Sequence, residues 1–198
     1  MPPMIRPAKH AGFTLLELVV VVVIIAISLT LAVPSWDRAT QKRLVTQAAE
    51  EASAFLVTGQ GEAIAQGLPV SLVVSRTGDT EWCLGAALGE AGCDCTEVDT
   101  SAAGFCAIDG APRRLTSADL PRVHLLVGED RLPGSGDGRI VVDTVRGILE
   151  PPGDGMTLRF ASRGGIFRLD ARLGPTGLLW VCSPDADTAV PGYEACPL

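Results

Sequence analysis

An apolar run near the N-terminus constrains the fold of this chain more than any other feature. The residues from Leu18 to Val33 are almost all hydrophobic, and Gly-Phe-Thr-Leu-Leu-Glu precedes them at residues 12–17. About 20 helical residues span a bilayer core, and Phe13 to Val33 supplies 21. An ordinary secretory signal is cut after its apolar stretch, whereas the short basic leader of this chain stops at a glycine before it. The sequence therefore predicts a mature chain that keeps its membrane segment at its N-terminus.

This N-terminal arrangement resembles the prepilin signal of type IV pilins and type II secretion pseudopilins. Gly12 corresponds to the residue before the cut, and Phe13 to the new N-terminus, which that family methylates on its amine. Glu17 corresponds to the acidic residue at the fifth position after the cut, and Pro34 to a proline that kinks the helix where its membrane-embedded part ends. The resemblance implies removal of residues 1–12 by a prepilin peptidase and assembly with other major and minor pilins.

The membrane half of the predicted helix, residues 13–34, carries basic residues on both flanks. The two flanks nearly balance in Lys and Arg, so the positive-inside rule does not decide the orientation. The prepilin resemblance implies that the leader lies in the cytoplasm and that residues 35–198 lie outside it. The implied location is the bacterial inner membrane, as a single-pass protein with a periplasmic domain, and later the pilus fibre.

Glu17 is the one charge inside the apolar run, and two interpretations of it stay open. A carboxylate there is costly unless it is paired or near the interface. It could lie near the headgroups, where the positive end of the helix stabilises it. Alternatively, it could pair after cleavage with the terminal amine of Phe13 on a neighbouring subunit. We favour this pairing, which would satisfy both charges only upon assembly.

The helix should continue beyond the membrane segment to about Gln66. Apolar residues recur at near-helical spacing, and Gly67 followed by Pro69 is a stop signal. Residues 35–66 would form the soluble half of the helix, and residues 67–198 one β-rich globular domain. The recurring apolar positions are Leu44, Val45, Ala48, Ala49, Ala52, Phe55, Leu56, Ala63 and Ile64.

Short β-rich runs follow Gly67, separated by Gly, Pro, Asp and Ser. Runs at this spacing predict strands in a meander or sandwich. The fold class is therefore α+β, a pilin-like lollipop in which a long N-terminal helix packs on an antiparallel β domain. Alternation from Ile166 to Leu173 predicts a half-exposed strand. The predicted runs are Pro69–Arg76, Glu81–Leu84, Phe105–Asp109, Arg122–Val127, Arg139–Asp143, Met156–Ala161, Gly165–Arg172 and Gly177–Ser183.

Six cysteines lie outside the membrane run, in the part that the leader would place in an oxidising space. An even number there predicts disulfides. Cys182 and Cys196 should close a C-terminal loop whose residues suit a turn better than a strand. The spacing of the other four lacks the knuckles of a zinc site, so no metal is predicted. These four allow three pairings, and the one we favour is Cys83–Cys95 with Cys93–Cys106.

The soluble part resembles the GspH/FimT family of minor pilins. Gln-Gly-Leu-Pro-Val at residues 66–70 and a late Val-Cys-Ser-Pro at residues 181–184 carry this resemblance. Trp-Cys-Leu-Gly at residues 82–85, Cys-Asp-Cys at residues 93–95 and the ending Gly-Tyr-Glu-Ala-Cys at residues 192–196 are similar to the FimU-type branch. The resemblance implies a low-abundance subunit that helps to initiate or cap a type IV pilus. The alternatives are a GspH-like pseudopilin of a type II secretion system and a FimT-like DNA-binding pilin in natural transformation.

The charge of the chain argues against DNA as a partner. The formal net charge is −7, and losing Arg6 and Lys9 with the leader would take it to about −9. FimT-type pilins carry a Gly-Arg-x-Arg element in the C-terminal tail, but residues 184–198 of this chain contain no Arg or Lys. DNA contact through Arg163 and Arg168, in the one basic concentration of the chain, is therefore the disfavoured interpretation.

No sequence motif supports an enzyme. The chain lacks a G-x-S-x-G nucleophile turn, an H-E-x-x-H zinc motif, a Walker A loop and a dinucleotide fingerprint. His124, the one histidine after the leader, lies in an alternating run typical of a structural strand position. Asp185 and Asp187 match only a fragment of a calcium loop. The prediction is a non-enzymatic protein without catalytic residues, cofactor or metal.

Overall fold

A single long helix, α1, runs from Leu15 to Gln66 in the computed structural model. Thr14 precedes the helix, and its hydroxyl oxygen accepts a hydrogen bond of 3.3 Å from the backbone N–H of Glu17, in the manner of an N-cap. Gly67 follows the helix with a φ of +63°, a left-handed conformation that glycine adopts without steric cost. Local chemistry therefore accounts for both ends of α1.

The structure describes residues 14–78, 80–126, 138–144, 149–150 and 155–197. The side chains of residues 31–34 and 150 are outside that description. The predicted leader, its cleavage site at Gly12 and the methylation site at Phe13 also lie outside the described residues. The predicted kink at Pro34 concerns a side chain that is not described, and it stays a prediction.

Two compact units share helix α1, namely Met1–Ala39 and Thr40–Leu198. The second unit contains the rest of α1 and every described strand. A 3-10 helix, Ala186–Thr188, follows the last strand. The strands are β1 (Val70–Thr77), β2 (Glu81–Leu88), β3 (Ala107–Ile108), β4 (Ala111–Pro112), β5 (Arg114–Thr116), β6 (Val123–Leu126), β7 (Gly138–Val142), β8 (Leu149–Glu150), β9 (Met156–Ser162), β10 (Arg168–Leu173) and β11 (Leu179–Cys182).

Two antiparallel sheets build the second unit. The first sheet has the strand order β5-β2-β1-β7-β8, the second has the order β11-β10-β9-β6, and β3 and β4 form a small hairpin. Strand β1, which follows the helix, lies inside the first sheet. It pairs with β2 from Val70↔Leu88 to Thr77↔Glu81 and with β7 on its other side. Both edges of β1 are therefore hydrogen-bonded within the domain.

One hydrophobic core joins helix α1 to both sheets. The helix contributes fully buried alanines to this core, including Ala48, Ala49 and Ala52. Trp82 of the first sheet meets Phe160 of the second edge to face, with 5.6 Å between ring centroids. The predicted α+β class, a long N-terminal helix packed on antiparallel strands, is confirmed.

The structure differs from the sequence expectations in several strands, of which β2 continues to Leu88 instead of ending at Leu84. Strands β4, β5 and β8 were not predicted, because each has only two or three residues and exists through its partner strand. The run from Ile166 to Leu173 is strand only from Arg168 onwards, and Asp170 is fully buried although it lies on the face that the alternation predicts to be exposed. The reason is an ion-pair network, described below, that covers this carboxylate.

Candidate assembly site

The first half of helix α1 exposes every large apolar side chain that the structure describes there. Between Leu15 and Leu29 these side chains are 46–82% exposed. By length and composition, α1 contains a segment able to cross a membrane, with none of that segment buried. A contiguous apolar surface of this size needs a covering of lipid or of other helices.

Glu17 lies in the first turn of helix α1, where the helix dipole stabilises a negative charge. Its backbone N–H donates a hydrogen bond to the hydroxyl oxygen of Thr14, and Thr-Leu-Leu-Glu has the spacing of a capping box. The residue is exposed. The predicted pairing would join this carboxylate to the amine of Phe13, which is outside the described part of the chain, and it therefore stays a prediction.

The second half of helix α1 carries an apolar strip on the face turned away from the core. Ala54, Val57, Gly61 and Ile64 are exposed and follow one another at spacings of three and four residues, which is the spacing of a helix-packing seam. Val57 is 52% exposed and Ile64 57%. Ile64 is among the recurring apolar positions of the sequence, but its side chain lies on this exposed face.

The Cys182–Cys196 disulfide closes a C-terminal loop, with 4.9 Å between the two Cα atoms. Val190 anchors the loop in the core, where it is fully buried. Tyr193 donates a hydrogen bond of 2.6 Å from its hydroxyl to Oε1 of Glu50 on helix α1. Burial, followed by the Glu50 carboxylate, raises the pKa of Tyr193 to about 12. The loop therefore fastens the end of the chain to the helix.

Asp170 is a fully buried carboxylate on the outer face of the second sheet. Arg159 binds it in a bidentate manner, with Nε 2.8 Å from Oδ1 and Nη2 3.0 Å from Oδ2. Arg172 places Nη2 3.2 Å from Oδ2 and donates from Nη1 to the carbonyl oxygen of Pro197 at 3.0 Å. A buried charge needs such partners. This network buries Asp170 on a strand face where Arg168 and Arg172 are partly exposed, and it also holds the C-terminal tail.

Two further disulfides join the first four cysteines in the pairs that we favoured. They link Cys83 to Cys95 and Cys93 to Cys106, with Cα distances of 5.8 and 5.1 Å. They hold the loop between β2 and β3 on the outer face of the first sheet. Gly85 beneath them has no room for a side chain, because an added Cβ would lie 2.9 Å from the Cβ of Cys95. The described residues contain no group of three side chains suited to a metal ion.

Arg163 and Arg168, the candidate DNA contacts, lie in and beside the turn between β9 and β10. Arg163 is exposed. Arg168 forms an ion pair of 3.4 Å with Asp185. Arg159 and Arg172 are held by the buried carboxylate of the outer face. Three of the four arginines in this region therefore have a carboxylate partner, which weakens the attraction of the surface for a polyanion.

A cavity of about 350 Å³ opens beside the Cys83–Cys95 disulfide. Hydroxyl side chains dominate its lining, and Glu81 and Arg114 are its charged residues. Arg114 donates from Nη1 to the carbonyl oxygen of Glu97, which fixes its position. Among the described residues, its lining contains neither a histidine nor a free thiol.

Residues 7–33 match the family described as the prokaryotic N-terminal methylation motif. This match confirms the predicted prepilin-type N-terminus. The motif implies processing by a prepilin peptidase and assembly with pilins, and it agrees with the prediction of a structural, non-enzymatic protein. Together with the hydrophobic N-terminal helix, it is consistent with an inner-membrane precursor that enters a pilus.

Two crystal structures of the Pseudomonas aeruginosa (strain PAO1) type IV minor pilin FimU are similar to this chain. One is 17% identical, with 75% of this chain and 98% of that chain covered and a TM-score of 0.45. The other is 18% identical, with 78% of this chain and 97% of that chain covered and a TM-score of 0.48. No curated protein sequence matches the chain.

Proposed function

We propose that this protein is a minor pilin that incorporates into a type IV pilus and helps to initiate or cap it. One observation carries the proposal. The methylation motif at residues 7–33 leads into a helix whose large apolar side chains up to Leu29 are all exposed. A segment with this signal and this surface is suited to a membrane before assembly and to a bundle of pilin helices afterwards.

The proposed maturation uses residues at the start of the chain. A prepilin peptidase removes the leader after Gly12, and the new N-terminal amine of Phe13 is methylated. Residues 13–34 then hold the protein in the inner membrane as a single span, with residues 35–198 in the periplasm. The disulfides of the domain support this location, because such bonds persist in an oxidising compartment.

In the proposed function, the carboxylate of Glu17 is required for the subunit to assemble with its neighbours. Its carboxylate would pair with the methylated amine of Phe13 on a neighbouring subunit, inside the packed helices of the fibre. Burying either charge alone among the packed helices would cost free energy, and pairing the two charges would offset that cost. The capping contact with Thr14 supports this role, because it holds the first helical turn in a defined geometry.

The test of maturation is mass spectrometry of the mature N-terminus. We expect a chain that begins with monomethylated Phe13, and we expect Gly12→Val to block cleavage because its branched side chain occupies the residue before the cut. Gly61→Val, on the exposed side of the helix, is the matched control and should be processed normally. A mature chain that retains Met1 in cells with an active prepilin peptidase would overturn the proposal.

The test of assembly is the amount of protein in sheared pili. Glu17→Val should remain in the membrane fraction but fall strongly in pili, since the amine of the neighbour loses its partner. Glu17→Asp keeps the charge and should retain part of the incorporation. Wild-type levels of Glu17→Val in pili would contradict the pairing.

A secretion pseudopilin and a DNA-binding pilin remain as alternatives with distinct outcomes. Deletion of the gene should reduce piliation in the proposed case, and protein secretion in the pseudopilin case. For DNA, an anisotropy titration at physiological salt should show weak binding or none, because Arg168 is already paired with Asp185. Sub-micromolar binding that is lost in Arg163→Ala and Arg168→Ala would instead favour a role in DNA uptake.

A further inference from the structure

Trp36 is a large aromatic side chain on helix α1 that is 77% exposed. It follows the apolar run almost directly, and the next two residues, Asp37 and Arg38, are exposed charges. An indole ring has an apolar body and a polar N–H, and for this reason tryptophan is enriched at the boundary between membrane and water.

The position of Trp36 along the helix matches the thickness of a membrane. Helix α1 is continuous from Leu15 to Gln66, and at 1.5 Å per residue Trp36 lies about 29 Å from Glu17 along the axis. The hydrocarbon core of a bilayer is about 30 Å thick. Residues 18–35 contain neither a charge nor an aromatic ring. The two ends of the apolar segment are therefore marked by one carboxylate and one indole.

We propose that Trp36 is the periplasmic anchor of the membrane-spanning helix, with its ring at the headgroup level of the outer leaflet. This inference rests on the proposed function, since it takes residues 13–34 as the span. An anchor at this position sets the depth of the helix so that Glu17 reaches the cytoplasmic interface, where its carboxylate stays hydrated. The junction between Gly12 and Phe13 then lies on the cytoplasmic side, within reach of a peptidase.

The experiment measures the depth of the ring in vesicles of phosphatidylethanolamine and phosphatidylglycerol that contain the full-length chain. Brominated lipids, with bromine either near the headgroup or near the acyl chain end, quench tryptophan fluorescence at known depths. Subtracting the spectrum of Trp36→Phe isolates this ring from Trp82 and Trp180. We expect the difference signal to lose more intensity with shallow bromine than with deep bromine.

Two controls separate the possible failures. Trp36→Tyr keeps an amphipathic ring and should process its leader as the wild type does, whereas Trp36→Ala should process it more slowly. If the chain resists carbonate extraction but the difference signal is unquenched, or is quenched most by deep bromine, the anchor is refuted and the membrane span is retained. If carbonate extracts the wild-type chain, the proposed span and the anchor are both overturned.

Discussion

The two halves of helix α1 use similar apolar residues in opposite environments. Val19 in the first half is 50% exposed, whereas Val45 in the second half is fully buried. The second half is covered by the sheets of its own chain, but nothing in the described chain covers the first. The difference shows that folding of the domain buries the apolar surface of only the second half. The apolar surface of the first half needs a cover of lipid or neighbouring subunits.

Substitution of a buried and an exposed apolar residue should give the largest contrast. Phe160 is fully buried and packs on Trp82, so Phe160→Ala should lower the free energy of unfolding by about 3–5 kcal/mol. Ile24 is 57% exposed, so Ile24→Ala should change it by less than about 0.5 kcal/mol. Guanidinium unfolding of the full-length chain in detergent, followed by near-ultraviolet circular dichroism, measures both values. Equal destabilisation by the two variants would contradict the contrast between buried and exposed apolar residues.

Loss of the C-terminal disulfide should have the next largest effect, confined to the domain. Replacing Cys182 and Cys196 by Ala opens a loop of about 15 residues, which costs roughly 3 kcal/mol in the chain-entropy model. The same unfolding assay gives the value, while carbonate extraction should show unchanged membrane association. Peptide mapping without reduction must first show that the wild-type chain contains this bond. Free thiols at both positions would contradict the prediction.

Two glycines should respond in opposite directions to alanine. A Cβ at Gly85 would lie 2.9 Å from both the Cβ of Cys95 and Cγ2 of Val73, so Gly85→Ala should destabilise the domain by about 1–3 kcal/mol. Gly61 has nothing within 4 Å and is helical, so Gly61→Ala should stabilise it by about 0.5–1 kcal/mol. Thermal unfolding midpoints of the two variants should therefore lie on either side of the wild-type value. An upward shift for Gly85→Ala would show that the disulfide-covered face is less tightly packed than described, and a downward shift for Gly61→Ala would contradict the open helix surface there.

The smallest expected effect concerns the contact between the C-terminal loop and the helix. Tyr193 is the one tyrosine of the chain, so tyrosinate absorbance reports its titration alone. Its pKa of about 12 in the folded protein lies above the value of about 10 for a free tyrosine. The contribution of the neutral Tyr193 to the stability of the folded state is therefore complete below about pH 10 and is lost as the pH rises through about 12. Glu50→Gln should lower the midpoint of the Tyr193 titration. An unchanged midpoint would show that burial alone raises this pKa.

Local signals made the N-terminal region predictable from the sequence. The apolar run, the glycine at its start and the Gly67–Pro69 stop signal each act within a few residues of the feature that they predict. The longer strands also followed from their alternation. The burial of Asp170 could not be predicted, because an aspartate in an alternating strand is expected on the exposed face. In the folded protein, Arg159 and the C-terminal tail cover it. Such contacts join residues that are distant in the chain, and the same holds for the partner strand of β5.

Strand β1 has a mechanical consequence, because it connects directly to the helix that would carry tension in a filament. Tension along α1 reaches the domain through the buried face of the helix and, at its end, through residues 67–69, which lead into a strand bonded on one side to β2 and on the other to β7. Eight residue pairs on the first side and five on the second must give way before the strand can leave the sheet. The pull is thus shared between two ladders, as expected of a fold that bears a load at one end.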